Sequence, residues 1–401
     1  MKAKYLFSLL AAIILAAGSA LARQSAPPPA PEPRDEHFDQ NFEFFLGGDG
    51  FLGVYAENIS RENMGRYHMN QVRGVGVTRI VKDSPAEKAG LRTDDVILRF
   101  GADELRLTNL RKLFWKKLKI AKRDLLQYYA NMAPWLLPHL AGRAMVMKRY
   151  PNGAEGDFFY MKRAPSPRPE WIEICPIEHS EGMVDFPIVQ DLPSLLWLIN
   201  LGCIDLNPWY ARCDDYNRPD FLHFDLDPGP GADFKMIREV ALRVRDILEH
   251  LGMPVYAKTT GSKGIHVYIP IVHGPLQKEV WTFAKAIAIE LESRHPNIIT
   301  AEYRKVKRPY ARVLVDYNQN AWGRTLASIY SVRPTPFAGV STPVTWEEIE
   351  EGIDIQDFRI DNVRERVAEV GDLWKPVAVG KKRFDLMKVF TAPKKKKRLS
   401  S

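Results

Sequence analysis

The sequence predicts an α+β protein whose main domain is a mostly antiparallel sheet flanked by helices, preceded by a small β-rich module. Three observations lead to this prediction. Apolar runs typical of buried strands end in carboxylates within 222–228 and 312–320. Residues 234–252 and 278–296 repeat apolar side chains with helical spacing, as amphipathic helices do. Residues 45–100 alternate over short distances between turn residues, which is typical of a small β-rich unit.

The composition fits a packed protein of more than one domain. The chain has 401 residues, of which 45% are apolar and 26% are charged. These values exclude a disordered tail protein, a collagen-like repeat and a polytopic membrane protein. The formal net charge is +8, and residues 381–398, with nine basic side chains and one acidic, hold all of it. The rest of the chain is close to neutral, so nucleic-acid binding there must depend on local clusters.

The N-terminus and the cysteines point to different compartments. Residues 1–22 resemble a secretory signal, with a basic start, a short apolar run and small residues before a cleavage point, so they predict export. Residues 23–44, rich in Pro, Ala and charge, are expected to form a linker. The odd number of cysteines argues against a full disulfide framework, and the absence of a CxxC pair argues against a zinc knuckle. We therefore expect the cysteines to suit a reducing compartment; they are Cys175, Cys203 and Cys213.

Two strands and a short helix are predicted in the β-rich module. Residues 72–81 and 94–100 have the composition of strands. Between them, Ser84 is placed to cap a short helix that Pro85 begins and Gly90 ends.

The same module, residues 45–102, resembles part of a PDZ domain. The resemblance lies in the turn FLGV at 51–54 and in the segment DSPAEKAGLRTDDVI. It implies capture of an extended C-terminal peptide by strand addition, with backbone amides around the carboxylate. The pattern stops near Phe100, so we expect a partial module, and a segment without a ligand is an equal alternative.

The chemistry of the main domain centres on an apolar strand predicted over 222–228. It carries Asp225 and Asp227, which point to the same face because side chains alternate along a strand. Two neighbouring carboxylates repel each other, and burying them without a partner is costly, whereas a divalent cation resolves the conflict. Asp316 ends a second apolar strand. A solvated strand end is the alternative for the Asp pair taken alone.

A turn rich in glycine and hydroxyl groups precedes a strand within 259–270. Its backbone amides, with Lys263 and His266, are placed to surround phosphate oxygens, although the P-loop spacing is absent. Downstream, Arg333 adds a cation. A structural histidine and a surface salt bridge are the alternatives. Three strand-end carboxylates beside a phosphate-type turn suit two-metal chemistry on a phosphoanhydride.

Seven segments carry a family resemblance over about 105–374. They read RLTNLRKLFW, KRDLLQYY, MKRYPNGAEGDFFYMKRAP, LPSLLWLINLGCIDLNPW, FDLDP, TTGSKGIHVYIP and VLVDYNQNAWGRTLASIYSVRPTP. In this order they resemble the polymerase domain of bacterial ligase D proteins, a branch of the archaeo-eukaryotic primase superfamily. The resemblance implies a primase-type catalytic core with an RNA-recognition-like sheet. It assigns residues 103–376 to the polymerase domain and leaves 377–401 as a basic tail.

The resemblance implies a template-directed nucleotidyltransferase, a DNA polymerase or primase that extends primers or fills short gaps at DNA breaks in non-homologous end joining, with ribonucleotides accepted. Two divalent ions, Mn²⁺ or Mg²⁺ with Mn²⁺ preferred, would be held by Asp225, Asp227 and Asp316. Nucleotide-binding roles are implied for Thr260, Ser262, Lys263, His266, Arg333 and Asn207. DNA-binding roles are implied for Lys112, Lys122, Lys148, Arg149, Phe158 and Phe159.

The implied DNA contacts differ in kind. Lys112 and Lys122 match residues that recognise a 5′-phosphate at a gap or break, with a solvated helix face as the alternative. Phe158 and Phe159 match paired aromatics that stack on bases, with a core position as the alternative. Lys148 and Arg149 lie beside them, at positions where the family contacts the template strand.

Two departures from the family pattern bear on activity. Asn207 lies where many relatives have a histidine, and Thr335 lies where a second arginine is common. No KxDG ligase motif and no phosphoesterase signature is found in the sequence. The resemblance therefore implies a stand-alone polymerase, with Ku and a separate ATP-dependent ligase as candidate partners.

Other functions are weighed against this one. A phosphatase of the haloacid dehalogenase type also uses an apolar strand ending in DxD, but Pro228 and Gly229 follow Asp227 here, and Asp316 would be unexplained. An exported PDZ-type peptide-binding protein with an inactive polymerase-like domain is the alternative from another class. A polymerase needs cytoplasmic or nucleoid DNA and nucleotides, which conflicts with the signal at 1–22. The basic run at 393–398 suits either a tail on DNA phosphates or a solubilising tail.

Overall fold

The structure is a computed structural model, and the residues that it describes are 42–44, 54–69, 75–88, 90–97, 107–180 and 182–391. The predicted signal, most of the predicted linker, the turn at 51–53 and the basic run at 393–398 lie outside the described residues. Within the described part, no helix has the length and apolar character needed to cross a membrane.

Strands and helices alternate irregularly along the chain. The strands are β1 (Phe42–Phe44), β2 (Val54–Asn58), β3 (Val75–Ile80), β4 (Val96–Ile97), β5 (Leu113–Trp115), β6 (Ile120–Ala121), β7 (Met145–Arg149), β8 (Phe159–Met161), β9 (Ile174–His179), β10 (Gly182–Pro187), β11 (Cys203–Pro208), β12 (Phe221–Pro228), β13 (Tyr256–Thr259), β14 (Ile265–Pro270), β15 (Ile299–Thr300), β16 (Val313–Asp316) and β17 (Pro343–Val344). The helices are α1 (Pro85–Lys88), α2 (Lys122–Leu140), α3 (Leu192–Asn200), α4 (Phe234–His250), α5 (Gln277–Arg294), α6 (Trp346–Glu351), α7 (Val363–Val370), α8 (Lys375–Ala378) and α9 (Met387–Thr391).

The first four strands form an antiparallel sheet in the order β1-β2-β3-β4. Strand β3 lies inside the predicted strand at 72–81, and α1 begins at Pro85 as expected. The Ser84 hydroxyl accepts a hydrogen bond from the amide of Glu87 at 3.2 Å, which is the contact of an N-cap. A small apolar core joins the sheet to α1; its members are Val54, Val77 and Ala86.

A six-stranded sheet in the order β15-β16-β12-β14-β13-β17 forms the centre of the main domain. All neighbours in it are antiparallel except β15 and β16. Along the central strand β12, Leu222, Phe224 and Leu226 are fully buried, and α4 and α5 pack against this strand. Because side chains alternate, the residues between these three point to the opposite face, which is the face that carries the site.

Helix α4 begins at an N-cap, where the Asp233 carboxylate accepts a hydrogen bond from the amide of Met236 at 2.8 Å. The sequence predicts that Met236, Val240, Val244 and Leu248 share the buried face. The structure buries the last three but leaves Met236 partly exposed and buries Ile237 instead. Met236 lies in the first turn beside the cap, so the buried face begins one residue later.

A three-stranded sheet in the order β11-β7-β8 carries four more of the predicted site residues: Asn207, Lys148, Arg149 and Phe159. Two hydrogen bonds tie its strand β11 to the segment between β16 and β17. The amide of Leu206 donates to the Ser331 hydroxyl at 2.9 Å, and the amide of Ser328 donates to the Leu206 carbonyl at 2.9 Å. These bonds hold β11 close to the face of the central sheet that carries the predicted site.

The cysteines differ from the expectation of reduced thiols. Cys175 on β9 and Cys213, in the loop after β11, form a disulfide that joins positions 38 residues apart, with Cα atoms separated by 5.7 Å. Cys203 is free and fully buried. Sequence spacing does not indicate the pairing, because it depends on the approach of β9 to the loop after β11 in the folded chain.

Candidate active site

Four polar residues form a row across the central sheet. Asp316, Asp225, His266 and Lys258 are successive cross-strand partners on β16, β12, β14 and β13. Directly opposed residues of an antiparallel pair project to the same face. Asp227, two positions along β12 from Asp225, points to this face as well. We call Asp316, Asp225, His266 and Lys258 the polar row.

The carboxylates of this site repel each other. Asp225 is 8% exposed, and burial together with the charge of Asp316 raises its pKa to about 7. The charge of Asp225, followed by burial, raises the pKa of Asp227 to about 7 as well. Oδ1 of Asp225 has no hydrogen-bond partner among the described residues. The side chains of the site therefore do not supply enough positive charge to balance its carboxylates.

Asp316 is held by the turn that follows it. Its carboxylate accepts hydrogen bonds from the amide of Asn318 at 2.8 Å and from Nε2 of Gln319 at 3.1 Å. In the same turn, the Asn320 side chain accepts from the amide of His223 at 3.1 Å and donates to the His223 carbonyl at 2.7 Å. These contacts fix the end of β16 against β12.

The three predicted metal ligands fit hard divalent cations with incomplete protein ligation. Asp225, Asp227 and Asp316 supply oxygen atoms, which Mg²⁺ and Mn²⁺ prefer. Within the described part of the chain, no group of three or more His, Cys, Asp or Glu side chains is arranged so that it could hold a metal ion by itself. An open carboxylate set is the form in which substrate phosphates and water complete the coordination.

The turn between β13 and β14 differs from the expected phosphate cradle. The Thr260 hydroxyl accepts hydrogen bonds from the amides of Ser262, Lys263 and Gly264 at 3.1, 3.0 and 3.0 Å. The expectation that these amides surround phosphate oxygens is wrong for this conformation, because they point at Thr260. Thr260 itself is 5% exposed, whereas the Lys263 side chain is exposed and its charge acts to lower the pKa of Asp227.

Arg333 joins this turn to a buried carboxylate. Its Nη1 donates to the Thr260 carbonyl at 3.0 Å, and its Nε lies 3.6 Å from Oδ2 of Asp205. The same Oδ2 lies 3.6 Å from Nζ of Lys148. Asp205 is 1% exposed, and its Oδ1 has no hydrogen-bond partner within the described residues. The buried carboxylate of Asp205 is thus the shared counter-charge of Arg333 and Lys148, both of which are predicted to bind substrate.

The two predicted phenylalanines lie with different cations. The Lys148 ammonium lies 4.1 Å from the ring centroid of Phe158 and 5.9 Å from that of Tyr160, whereas the Arg149 guanidinium lies 5.4 Å from that of Phe159. Arg149 and Phe159 are cross-strand partners, and so are Lys148 and Tyr160. Phe158, Phe159 and Tyr160 are 47%, 42% and 63% exposed, which suits stacking on bases better than a core role.

Lys112 and Lys122 lie near each other, but only Lys112 is exposed. The Lys122 ammonium is buried and donates to the Thr108 carbonyl at 2.6 Å and to Oδ1 of Asn200 at 2.7 Å. Burial, and then the charges of Lys112 and Arg149, lower the pKa of Lys122 to about 8. Lys112 donates to the Pro151 carbonyl. The three cations form a basic cluster, in which Lys122 has little access to a ligand.

Both departures from the family pattern have internal partners. Asn207 on β11 is 8% exposed, and its Nδ2 donates to the Asp205 carbonyl at 3.3 Å. The Thr335 hydroxyl accepts from the amide of Gly339 at 2.9 Å, and so closes a turn.

Sequence reasoning missed four residues of this site. Lys258 and Asp205 lie inside apolar strands, which is the same signal that identified Asp225. Arg308 acts on the site through its charge, which lowers the pKa of Asp227, and it lies in a basic loop that gave no specific signal. Tyr160 follows the two predicted phenylalanines directly, so alternation along β8 indicates that it shares a face with Phe158.

The fold and the site define a polymerase or primase type of catalytic domain, and a family comparison identifies it. The family model described as LigD, primase-polymerase domain, matches residues 121–374. That span is more than half of the chain, and the chain belongs to this family. The resemblance inferred from the motifs is therefore confirmed.

Individual relatives extend this result. The chain is 31% identical over 277 residues to the multifunctional non-homologous end joining protein LigD of Mycolicibacterium smegmatis, covering 69% of this chain and 36% of that protein. A solved structure, the polymerase domain from Mycobacterium tuberculosis ligase D in complex with DNA, aligns with a TM-score of 0.65 at 29% identity and covers 69% of this chain and 99% of that chain. The mostly antiparallel α+β fold is thus confirmed.

The similarity covers only part of each relative's length. The chain spans about a third of the LigD protein of M. smegmatis that it matches. A separate stretch of similarity, 48% identical over 56 residues, links 14% of the chain to 11% of the probable periplasmic serine endoprotease DegP-like of Chlamydia trachomatis.

Proposed function

We propose that this protein is a metal-dependent, template-directed nucleotidyltransferase that extends primers or fills short gaps at DNA breaks in non-homologous end joining. One observation carries most of the weight: Asp225 and Asp316 face each other across the central sheet, with Asp227 on the same face. Family membership supports the reaction type, because the matched relatives are named as end-joining proteins or as a polymerase domain.

The three carboxylates are the residues that would hold two divalent ions, Mn²⁺ or Mg²⁺. Two such ions, when bound, would supply positive charge that lowers the pKa of a primer 3′-hydroxyl and offsets the charge of the triphosphate and the departing pyrophosphate. The repulsion between Asp225 and Asp227, together with the unpartnered Oδ1 of Asp225, supports this assignment.

Cationic side chains at the same edge would bind the triphosphate. Lys263 is exposed and faces outward from the turn, and Arg333 is fixed to the backbone of that turn. The charge of Arg308 acts to lower the pKa of Asp227, so we add Arg308 to this set. Thr260 orders the turn through its hydroxyl, so its role is to position Ser262 and Lys263 rather than to contact the nucleotide.

The aromatic residues of β8 and the segment before it would stack on template and nucleotide bases. Phe158 and Tyr160 form one stacking surface with Lys148, and Phe159 forms another with Arg149. Base stacking is sequence-tolerant, which suits repair of arbitrary ends. Lys112 would contact a 5′-phosphate at the far side of a gap, and the buried ammonium of Lys122 would add its charge without contacting the phosphate.

Nucleotide choice follows from the family expectation that ribonucleotides are accepted. Asn207 can hydrogen-bond to a nucleotide but cannot exchange a proton in the physiological range. We therefore assign it a binding role alone.

Partners and compartment follow from the proposed reaction. We propose Ku and a separate ATP-dependent ligase as partners, because the matched relatives are named as non-homologous end joining proteins. DNA and nucleotides place the reaction in the cytoplasm or nucleoid, so residues 1–22 would not direct export. N-terminal sequencing of the protein from separated cell fractions tests this placement.

The deciding experiment is extension of a 5′-phosphorylated gapped DNA by the full chain with Mn²⁺ and each of the ribo- and deoxyribonucleotides. Asp225→Ala and Asp316→Ala are the inactive controls, and Asp246→Ala, on the exposed side of α4, is the matched surface control. Template-directed addition by the parent and by the surface control, with none by the other two, is the expected result. A folded parent that adds no nucleotide would overturn the proposal.

A further inference from the structure

Three arginines meet around one buried carboxylate just before β12, at the end of that strand away from Asp227. Oδ2 of Asp220 lies 2.7 Å from Nη2 of Arg143, 3.4 Å from Nε of Arg212 and 3.9 Å from Nη2 of Arg383. We call Arg143, Arg212 and Arg383 the arginine cluster. Asp220 balances only one of its positive charges, so the cluster keeps an excess of positive charge in a largely buried place.

The other partners of the arginine cluster carry no charge. They are backbone carbonyls, those of Ala141, Trp209, Tyr210, Asp220 and Ile271. Carbonyls accept the donated protons without cancelling the charge of the guanidinium groups. Burial lowers the pKa of Arg383 from its ordinary value; the charge of Asp220 opposes this effect, and those of Arg143 and Arg212 add to it. The three guanidinium groups therefore repel one another, and a bound anion would relieve that repulsion.

The arginine cluster lines a cleft whose wall, within the described residues, contains no Asp or Glu. The volume of the cleft, about 40 Å³, holds roughly three water molecules, and so the oxygen atoms of a phosphate group but not a nucleoside. The Arg212 and Arg383 side chains are 39% and 22% exposed, whereas that of Arg143 is 4% exposed. An ion from solvent can thus reach two of the three guanidinium groups.

Two further basic side chains line the cleft but have partners elsewhere. Nε2 of His139 lies 3.4 Å from a carboxylate oxygen of Asp372. Nζ of Lys258 lies 2.7 Å from Nδ1 of His266 and 2.9 Å from the Ala327 carbonyl. The positive charge that an anion would meet in the cleft therefore comes from the arginine cluster.

The cleft is separate from the predicted catalytic carboxylates. Phe221, which lines it, lies on the same face of β12 as Asp225 and about 13 Å away along the strand. Within the described residues, no side chain predicted to bind metal, nucleotide or DNA lines the cleft. Arg383 also lies beyond the family match at 121–374, in a segment where the amide of Phe384 donates to the Pro270 carbonyl at 2.9 Å.

We propose that this cleft binds a phosphate group, either free or carried by DNA. Guanidinium groups suit phosphate because their paired N–H donors match its oxygen atoms and their charge persists at any physiological pH. Arg212 and Arg383 would contact the phosphate, because their side chains are partly exposed, and Arg143 would keep Asp220 in place. The phosphate would supply the counter-charge that Asp220 alone does not, and would hold the segment that carries Arg383 to the central sheet.

Inorganic phosphate is the first probe. The full chain is titrated with sodium phosphate by isothermal titration calorimetry, with chelator present and the ionic strength held constant. We expect saturable binding with a Kd of about 1 mM or lower. Arg212→Gln, at a partly exposed side chain, should weaken this binding by about tenfold or more. Arg294→Gln, which removes an exposed arginine on α5 that pairs with Glu290, is the matched control and should bind phosphate as the parent does.

A further variant separates the cleft from the predicted triphosphate site. Lys263→Gln removes an exposed cation of that site and should leave the affinity for phosphate unchanged. Binding that is lost in Lys263→Gln and kept in Arg212→Gln would overturn the proposal, and so would a folded parent that shows no saturable binding. Neither result depends on nucleotide addition, so this proposal and the proposed function fail separately.

A DNA duplex with 5′-hydroxyl ends identifies the source of the phosphate, because all its phosphates belong to the backbone. If Arg212→Gln weakens phosphate binding but keeps the parent's Kd for the duplex, the ligand is a free phosphate. A parallel loss of duplex affinity assigns the cleft to a backbone phosphate, and both results support the site. Loss of duplex affinity in a protein whose parent does not bind inorganic phosphate would show only a long-range effect of charge and contradict the proposal.

Discussion

Asp225 on β12 and Asp316 on β16 are direct cross-strand partners in an antiparallel pair. Like charges at directly opposed positions destabilise a sheet, and burial of Asp225 increases the effect. The fold therefore maintains a local repulsion that a bound cation would relieve. This relationship connects the stability of the metal-free protein to the proposed chemistry.

The first prediction concerns Asp225→Asn. Removal of the charge relieves the repulsion, so we expect the metal-free variant to be more stable than the parent above about pH 8, by roughly 1–3 kcal/mol, given that each unit of pKa shift corresponds to about 1.4 kcal/mol. The same variant should lose both nucleotide addition and the stabilisation that Mn²⁺ gives the parent. Thermal melting with chelator and with Mn²⁺ measures both effects.

Asp246→Asn is the control for this prediction, because Asp246 has 65% of its side chain exposed on α4. Its unfolding free energy should change by less than about 0.5 kcal/mol. A metal-free Asp225→Asn variant that melts below the parent, or that keeps the Mn²⁺ response, would contradict the assignment.

The second prediction is a pH dependence at the basic cluster of Lys112, Lys122 and Arg149. The pKa of Lys122 is lowered to about 8, so its positive charge is present below that pH and is lost as the pH rises through it. The preference of the protein for a 5′-phosphorylated gap over a 5′-hydroxyl gap should therefore weaken between about pH 7 and about pH 9. The ratio of the two Kd values across this range measures it.

Lys122→Met supplies the reference for the pH series. Its ratio should be low and flat with pH, because the titrating ammonium is absent. A parent ratio that stays constant up to the ordinary lysine pKa would assign 5′-phosphate recognition to Lys112 alone.

Local patterns predicted those parts of the site that lie within one strand or turn. Alternation along β12 predicts that Asp225 and Asp227 share a face, and the glycines before His266 predict the turn there. The partnership of Lys258 with His266 depends on the register between two strands, which no local pattern gives. The unexpected role of Thr260 has the same kind of origin, because the conformation of the turn decides whether its amides point outward or at the hydroxyl.

The third prediction concerns Gly264, where the turn packs against the catalytic strand. A Cβ atom there would lie 2.0 Å from the Leu226 carbonyl oxygen, so Gly264→Ala must move β12 or the turn. We expect a loss of about 1–3 kcal/mol in unfolding free energy and a larger relative loss of nucleotide addition. At Gly274 a Cβ would lie 3.7 Å from the Met387 side chain, an ordinary contact, so Gly274→Ala is the matched control. Equal denaturation midpoints for the two variants would be inconsistent with the close approach.

The last prediction concerns Asp205, which lies between Arg333 and Lys148. Asp205→Asn leaves two largely buried cations without their shared counter-charge, and removal of one partner from a buried ion pair costs about 3–5 kcal/mol. We expect a marked fall in the melting temperature. A nucleoside triphosphate can replace the missing charge at Arg333, so it should raise the melting temperature of the variant more than that of the parent.

The comparison of these two nucleotide-induced shifts separates two roles of Asp205. In the parent, the carboxylate and the triphosphate compete for the Arg333 guanidinium, whereas in Asp205→Asn the triphosphate has no competitor. Glu350→Gln, which removes a surface carboxylate that pairs with Arg245 at 2.7 Å, is the control and should respond to nucleotide as the parent does. A smaller shift in Asp205→Asn than in the parent would mean that Asp205 orients Arg333 for the ligand, so that loss of orientation outweighs relief from competition.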